Sequence, residues 1–323
     1  MPRPLTITIV RMAPVLAARE SLRRLRPVRQ SWGSDEMRAD QLVSLIRPHL
    51  RDELEIRIAM LPRPVSMTRF RLWLARQPRG VFVLLKNVAY SLTPEQVHLL
   101  RNKATAVAVD HIDGDMAKID LAAFDIHVAA SRAALRALRD KLPEQQTALL
   151  LHHADPRLTA LEFSGRNAFA ALYLGYLPNL RLPPDLEGQL TRMHVYSTRD
   201  MNTHLSRLPG FNFHYAVRDV PPAPDGLRVY KPFTKGLTAA ACRSNILVNR
   251  DVDDATDFLG EDYPYLIDDA DPARATETFA RARAEFGSPR WAEGLDRLRA
   301  AAEMASPPVL ARQFEAIARQ VIA

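Results

Sequence analysis

Tyr230-Lys231-Pro232-Phe233-Thr234-Lys235-Gly236-Leu237-Thr238-Ala239-Ala240-Ala241-Cys242-Arg243-Ser244-Asn245-Ile246-Leu247-Val248-Asn249 reads in succession as a strand end, a basic loop, a helix of small residues and a buried strand. A nucleotide diphosphate needs that order. Lys231 and Lys235 offer two cationic heads. Thr234 adds a hydroxyl and a backbone N–H at the expected helix N-terminus, where unpaired N–H groups and the helix dipole favour an anion. The alanines that follow carry no bulk to keep a ligand from the first turn. The same residues would also serve as a solvated lysine loop ahead of an ordinary core helix.

Outward from this stretch, period and β-branched content place strands near 169–175, 192–196, 212–217, 227–230, 245–249 and 264–267. The first half repeats the arrangement, with strands near 5–11, 54–60, 81–88, 104–110, 125–130 and 147–152. Helical patterns lie between them. Thr93-Pro94-Glu95-Gln96 is a capping box, and Ser131 precedes Arg132-Ala133-Ala134-Leu135. Alternating strands and helices imply α/β architecture: two Rossmann-like, doubly wound parallel-sheet domains whose strand ends face a common cleft. The expected division is 1–160, 161–305 and a closing helix over 306–323, with Gly165 as a hinge.

The chain has 323 residues, 47% of them hydrophobic, enough for two cores. Its start reads as a strand rather than a signal peptide, and one cysteine, Cys242, excludes a disulfide framework; both suit the cytoplasm. The net charge of +7 favours anionic partners. Arg11, Arg19, Arg23, Arg24, Arg26 and Arg29 face only Glu20 across 11–30, where Val15, Leu16, Leu22 and Leu25 would give a surface-lying helix an apolar side. No zinc-finger spacing or aromatic-interleaved basic strand points to nucleic acid. Dinucleotide, Walker, zinc-protease and serine-hydrolase motifs are absent.

Over about 210–270 the chain resembles the donor-binding half of GT-B glycosyltransferases, in which a similar Lys/Thr-bearing loop holds the pyrophosphate of a sugar nucleotide. The resemblance implies a metal-independent transferase that moves a sugar from a nucleotide sugar to a glycan or glycolipid acceptor, with no cofactor beyond the donor. It also implies a last helix that crosses back to the first domain. A surface-polysaccharide or glycolipid role would place the protein at the inner face of an anionic membrane. Two rivals stand beside it: a nucleotide-sugar epimerase of the same fold, and a non-catalytic nucleotide-sugar-binding protein.

Sugar transfer requires cations for the departing diphosphate and, if inverting, a base for the acceptor hydroxyl. Arg218, Lys231, Thr234 and Lys235 are the candidates for the first role, with Asn249 and Asp251 following the next strand. For the base, Gly33-Ser34-Asp35-Glu36 puts two carboxylates behind a glycine, and Kdo transferases among GT-B families carry a base in a similar loop. Ser34 as N-cap with Asp35 and Glu36 in the first turn is also ordinary helix chemistry. Asp113-Gly114-Asp115 looks both like the acidic stretch supplying the base in GT-B sialyltransferases and like the metal-binding Asp-x-Asp of GT-A enzymes. His152 and His153 end a strand, and alternation lets only one of them face a cleft.

Overall fold

The computed structural model describes residues 4–16, 29–30, 33–163, 166–222 and 228–322. Six strands form the first sheet: β1 (Leu5–Met12), β2 (Leu54–Leu61), β3 (Val81–Leu85), β4 (Ala106–Asp110), β5 (Ile126–Ala129) and β6 (Gln146–Leu149). All pair in parallel, in the order β2-β1-β3-β4-β5-β6. Helices cover both faces, so β3, β4 and β5 are buried at every position and read as apolar runs rather than alternating ones. The capping box at Thr93 forms as the sequence requires, Thr93 accepting from Gln96 N–H and the Gln96 side chain accepting from Thr93 N–H. Ser131 caps the helix Arg132–Lys141.

The second sheet contains β7 (Ala171–Gly175), β8 (Thr191–His194), β9 (Phe213–Tyr215), β10 (Asn245–Asn249) and β11 (Leu266–Ile267), parallel in the order β8-β7-β9-β10-β11. The sequence led us to expect a further strand near 227–230, but the described residues 228–230 join no sheet. Their neighbourhood is organised instead by a side chain. The Asp253 carboxylate accepts the Lys231 N–H at 2.8 Å and the fork of Arg228, which draws the segment across the strand ends rather than alongside β10. Gly165, Trp32 and residues 17–28, with most of the early arginines, lie outside the described residues.

After β1 the chain turns helical at Gly33–Asp35, widens into a π-helical turn over Glu36–Gln41 and continues as Leu42–Ile46. Arg38 on that turn is fully buried. Its guanidinium donates to Asp110 at the end of β4 (2.8 Å) and to the carbonyls of Leu150 and Leu151 beyond β6 (2.9 Å each), so one cation ties two strand ends to the helical turn. Asp110 also accepts the Ile112 N–H.

The last helix, Pro307–Ile322, lies against the first domain. Gln313 accepts the Leu151 N–H at 2.9 Å, Gln320 donates to Thr147 O at 3.1 Å, and Glu315 accepts the Arg51 N–H at 3.1 Å. A second bridge is Asp254, whose carboxylate accepts the N–H groups of Arg132 and Ala133 at 2.7 and 2.9 Å. It thus supplements Ser131 at a helix N-terminus from across the domain boundary.

Breaking a buried ion pair strands the surviving charge, at a cost of about 3–5 kcal/mol, whereas removing both partners costs much less. Arg38→Met and Asp110→Leu should each lower the denaturation free energy by that amount. The double variant should lose clearly less than their sum in the same urea titration.

Candidate functional site

The carboxyl ends of the two sheets enclose a cavity of about 370 Å³. Ligands of doubly wound sheets bind at such ends, beside the point where strand order reverses. In the second domain that point lies between β7 and β9, and Gly175, Tyr215 and Ala216 line the cavity there. Gly33, Met37, Asp113 and His152 form the wall from the first domain. Arg218, Lys231, Thr234 and Lys235 come together on the opposite wall.

Each of these cations is placed by buried neighbours. Asn249, fully buried, accepts the Arg218 N–H at 3.1 Å and donates to Arg218 O at 2.9 Å, fixing the backbone at the end of the β9 segment. It stands behind the site, and Asp251, which is exposed and accepts from Asn249, lies outside the cavity lining. Asp253 also lies off the lining but is the aspartate of the run that contacts the cation loop. Asp253, two residues on, holds Lys231 by its N–H, takes the Arg228 fork and lies 3.8 Å from Arg218 Nη2. The mark of its role in the sequence is only a second Asp after a buried strand.

Lys235 sits on the helix Thr234–Ala241 with its Nζ 3.6 Å from the centroid of the Tyr173 ring, shielded from solvent and without a hydrogen-bond partner. Gly175 makes this possible twice over. Its φ of +145° belongs to glycine, and a Cβ there would meet Lys235 Nζ at 3.2 Å. Burial, then the charges of Arg218 and Lys231, push the Lys235 ammonium well below the usual lysine range. The same burial lowers Arg218 and Lys231. Arg218 Nη2 likewise finds no hydrogen-bond partner.

Thr234 contributes less than its position promises. Its N–H is turned back to Pro232 O at 2.7 Å, and its hydroxyl contacts the same oxygen at 3.5 Å. No side chain caps this helix. The glycine after Lys235 is required by packing, since a Cβ on Gly236 would fall 1.8 Å from the Phe233 ring.

Of the three carboxylates considered as bases, only Asp113 lines the cavity. It forms an ion pair with Lys86. Asp35 is buried at 2% exposure against Asn87 (3.4 Å), and burial raises its carboxyl above the usual range. Glu36 is half-buried and off the cavity lining, although Gly33, Ser34 and Met37 on either side belong to it. The helix starts at Gly33, so Ser34 is within its first turn and not its cap. Asp115 is spent on the Ala117 N–H and lies near Lys118, so Asp113 and Asp115 do not converge.

His152 and His153 lie beyond the end of β6 at Leu149, outside the strand expected to hold them, and point to different surroundings. His153 lies between Ala154 O (2.8 Å) and Met37 O (2.9 Å). His152 lines the cavity. Its Nδ1 lies 2.8 Å from the His153 nitrogen and 3.1 Å from the His153 oxygen, and burial holds its pKa well below the usual range. His214, which the sequence reading passed over, also lines the cavity, and burial followed by the Lys235 charge lowers it to about 3.

No protein-family profile matches the chain, and no curated relative matches it by sequence. Solved structures do. A sucrose-phosphate synthase from Thermosynechococcus elongatus superposes at a TM-score of 0.59 with 12% identity over 98% of this chain and 99% of that one. A glycosyltransferase from Rickettsia africae gives 0.62 and 9%, covering 99% of each chain. A UDP-forming α,α-trehalose-phosphate synthase from Burkholderia vietnamiensis gives 0.56 and 12%, again over 99% of each. Identities this low establish architecture alone. Two parallel-sheet domains facing one cleft, matched end to end by these structures, give the chain the GT-B fold.

Proposed function

We propose that the protein is a metal-independent glycosyltransferase that moves a sugar from a nucleotide sugar to a glycan or glycolipid acceptor at the inner face of a membrane. The observation that carries this reading is Lys235 Nζ, shielded on the wall of the interdomain cavity without a hydrogen-bond partner, on the same wall as Arg218, whose Nη2 makes no hydrogen bond and stands 3.8 Å from Asp253. A desolvated cation costs free energy unless an anion answers it. A diphosphate between Lys235, Arg218 and Lys231 supplies that anion and explains why the cost is tolerated. Support also comes from the similar structures, one of which is named a glycosyltransferase, one a sucrose-phosphate synthase and one a UDP-forming trehalose-phosphate synthase.

The acceptor side belongs to the first domain. Two carboxylates line the cavity, Asp113, which pairs with Lys86, and Asp155, which pairs with Arg157; Asp113 is the one among the candidate bases. His152 adds an imidazole on the same wall, within the cavity. One observation favours the non-catalytic alternative: neither Asp35 nor Glu36 reaches the cavity wall, so a failure of Asp113 would leave the site without a base from these loops.

Three outcomes test the reading. UDP, GDP, CMP and dTDP should be compared by thermal shift, and at least one should stabilise the parent. Lys235→Met should raise the ligand-free melting temperature, because it removes an unpaired buried charge. The same variant should weaken nucleotide binding by about 1.5–3 kcal/mol, the scale of a charge-assisted hydrogen bond. A variant that binds every nucleotide as the parent does would remove Lys235 from the donor site.

The second outcome concerns protons. Lys235 has a folded pKa below its unfolded value of about 10.4, so the ligand-free protein gains stability as pH rises through that window, where the unfolded chain binds more protons. A bound diphosphate reverses the balance and draws a proton in. Titration calorimetry in two buffers of different ionisation enthalpy should show net proton uptake on binding, and affinity should fall as pH climbs through the lowered Lys235 pKa.

The third concerns the base and the metal. Asp113→Asn should reduce turnover by roughly 10²–10⁴-fold with nucleotide affinity nearly unchanged, whereas Glu36→Gln and Asp35→Asn should retain activity. Transfer should survive EDTA. Loss with rescue by Mn²⁺ would return Asp113 to a metal-binding role.

A further inference from the structure

The excess of positive charge has a second location. Between Glu55 and Glu95 the chain has no Asp or Glu, yet it carries Arg57, Arg63, Arg69, Arg71, Arg76, Arg79 and Lys86. Three of these are answered: Arg57 by Glu55, Arg71 by Glu95 and Lys86 by Asp113. Arg63, Arg69, Arg76 and Arg79 are exposed, with no ion pair among the described residues. They surround the helix Met67–Ala75, which buries Phe70, Trp73 and Leu74 on one face and leaves Leu72 56% exposed on the other. Arg69 and Arg76 stand three residues before and four after Leu72, on the same face. Met60, near the end of β2, is a second exposed apolar side chain at 47%.

The face is held rigidly. Ser66 caps the helix start, and Lys103 donates to Leu74 O at 2.6 Å and Ala75 O at 3.2 Å at its end. β2 is the edge strand of the first sheet, and the helix leaves from its carboxyl end, the end that borders the cleft.

We propose that this face of the helix Met67–Ala75 docks on an anionic lipid bilayer, with Leu72 entering the headgroup layer and Arg63, Arg69, Arg76 and Arg79 pairing with lipid phosphates. Arg69 and Arg76 flanking an exposed leucine on one helix face, with Arg63 and Arg79 a few residues beyond the helix ends in sequence, match such a surface in both charge and polarity. A nucleic acid fits less well, since the exposed apolar group is aliphatic and offers no stacking face. The inference deepens the glycolipid-acceptor reading and rests on it for the purpose of docking, since the helix leaves the carboxyl end of a first-domain strand.

The test uses the full chain in sedimentation with vesicles of phosphatidylcholine containing about 30% phosphatidylglycerol, against pure phosphatidylcholine, at low salt and at about 0.5 M NaCl, where screening is nearly complete within a few ångströms. The parent should bind the anionic vesicles at low salt and ignore the neutral ones. Arg69→Glu with Arg76→Glu should weaken partitioning at least about tenfold, and Leu72→Glu should remove the part that resists salt. Arg299→Glu, on an exposed helix of the second domain, should change nothing. The proposal falls if the parent does not bind, or if the helix variants sediment like the parent, which would move the contact elsewhere. It also falls if an RNA oligomer binds more tightly than vesicles and the same variants lose that binding. The nucleotide thermal shift, unchanged in every variant, shows that they fold. A parent that binds vesicles but responds to no nucleotide would overturn the donor-site reading and leave the docking surface standing.

Discussion

Two adjacent carboxylates, Asp253 and Asp254, govern both the site and the way the domains meet. Asp253 turns inward, where it fixes Arg228 and Lys231 and faces Arg218. Asp254 turns outward and accepts two N–H groups at the start of the helix Arg132–Lys141 in the other domain. Consecutive side chains take such different directions because Asp254 adopts a left-handed backbone, with φ of +62°, a conformation that Asp tolerates better than most residues. The cation loop and the domain interface are consequently anchored through one turn of backbone, so a shift in either is felt by the other.

The electrostatics of the second domain run against stability in the free protein. Arg218, Lys231 and Lys235 all sit where burial disfavours charge; Arg218 further depresses both lysines, and Lys231 depresses Lys235. What holds Lys235 in place is a ring face and a glycine rather than a counter-charge: Tyr173 beneath the ammonium and Gly175 beside it. A cation supported by a quadrupole is available for an anion in a way that a salt-bridged lysine is not. The first domain behaves oppositely. Its central cation, Arg38, is satisfied by Asp110 and two carbonyls and has no role facing the cavity. One buried guanidinium therefore organises structure, and the other cations are left for a ligand.

The architecture was readable from the sequence because parallel sheets covered on both faces produce unbroken apolar runs, as in Val81–Leu85 and Asn245–Asn249. Cap chemistry at Thr93 and Ser131 is local and was equally plain. The apparent strand at 227–230 was misread because its backbone is claimed by Asp253, a contact 22 residues away for Lys231 that no periodicity reports. Residue types at the site were legible, and orientation was not. Asp35, Glu36 and Asp113 look interchangeable in sequence, and only the tertiary fold separates the one on the cavity wall from the one buried against Asn87. Gly175 and Tyr173 had no motif at all; their importance follows from where Lys235 ends.

The closing helix gives the molecule a mechanical property beyond packing. Because Pro307–Ile322 returns to the first domain, the polypeptide crosses between domains twice, once after β6 and once before Pro307. Two crossings define a line. Rotation about that line leaves both connections unstretched, whereas sliding or separating the domains would tear Gln313 and Gln320 from the backbone of the segment that follows the helix Arg132–Lys141. Opening of the cleft is thereby restricted to a door-like swing, and every ligand that enters must pass on the side away from the doubled seam.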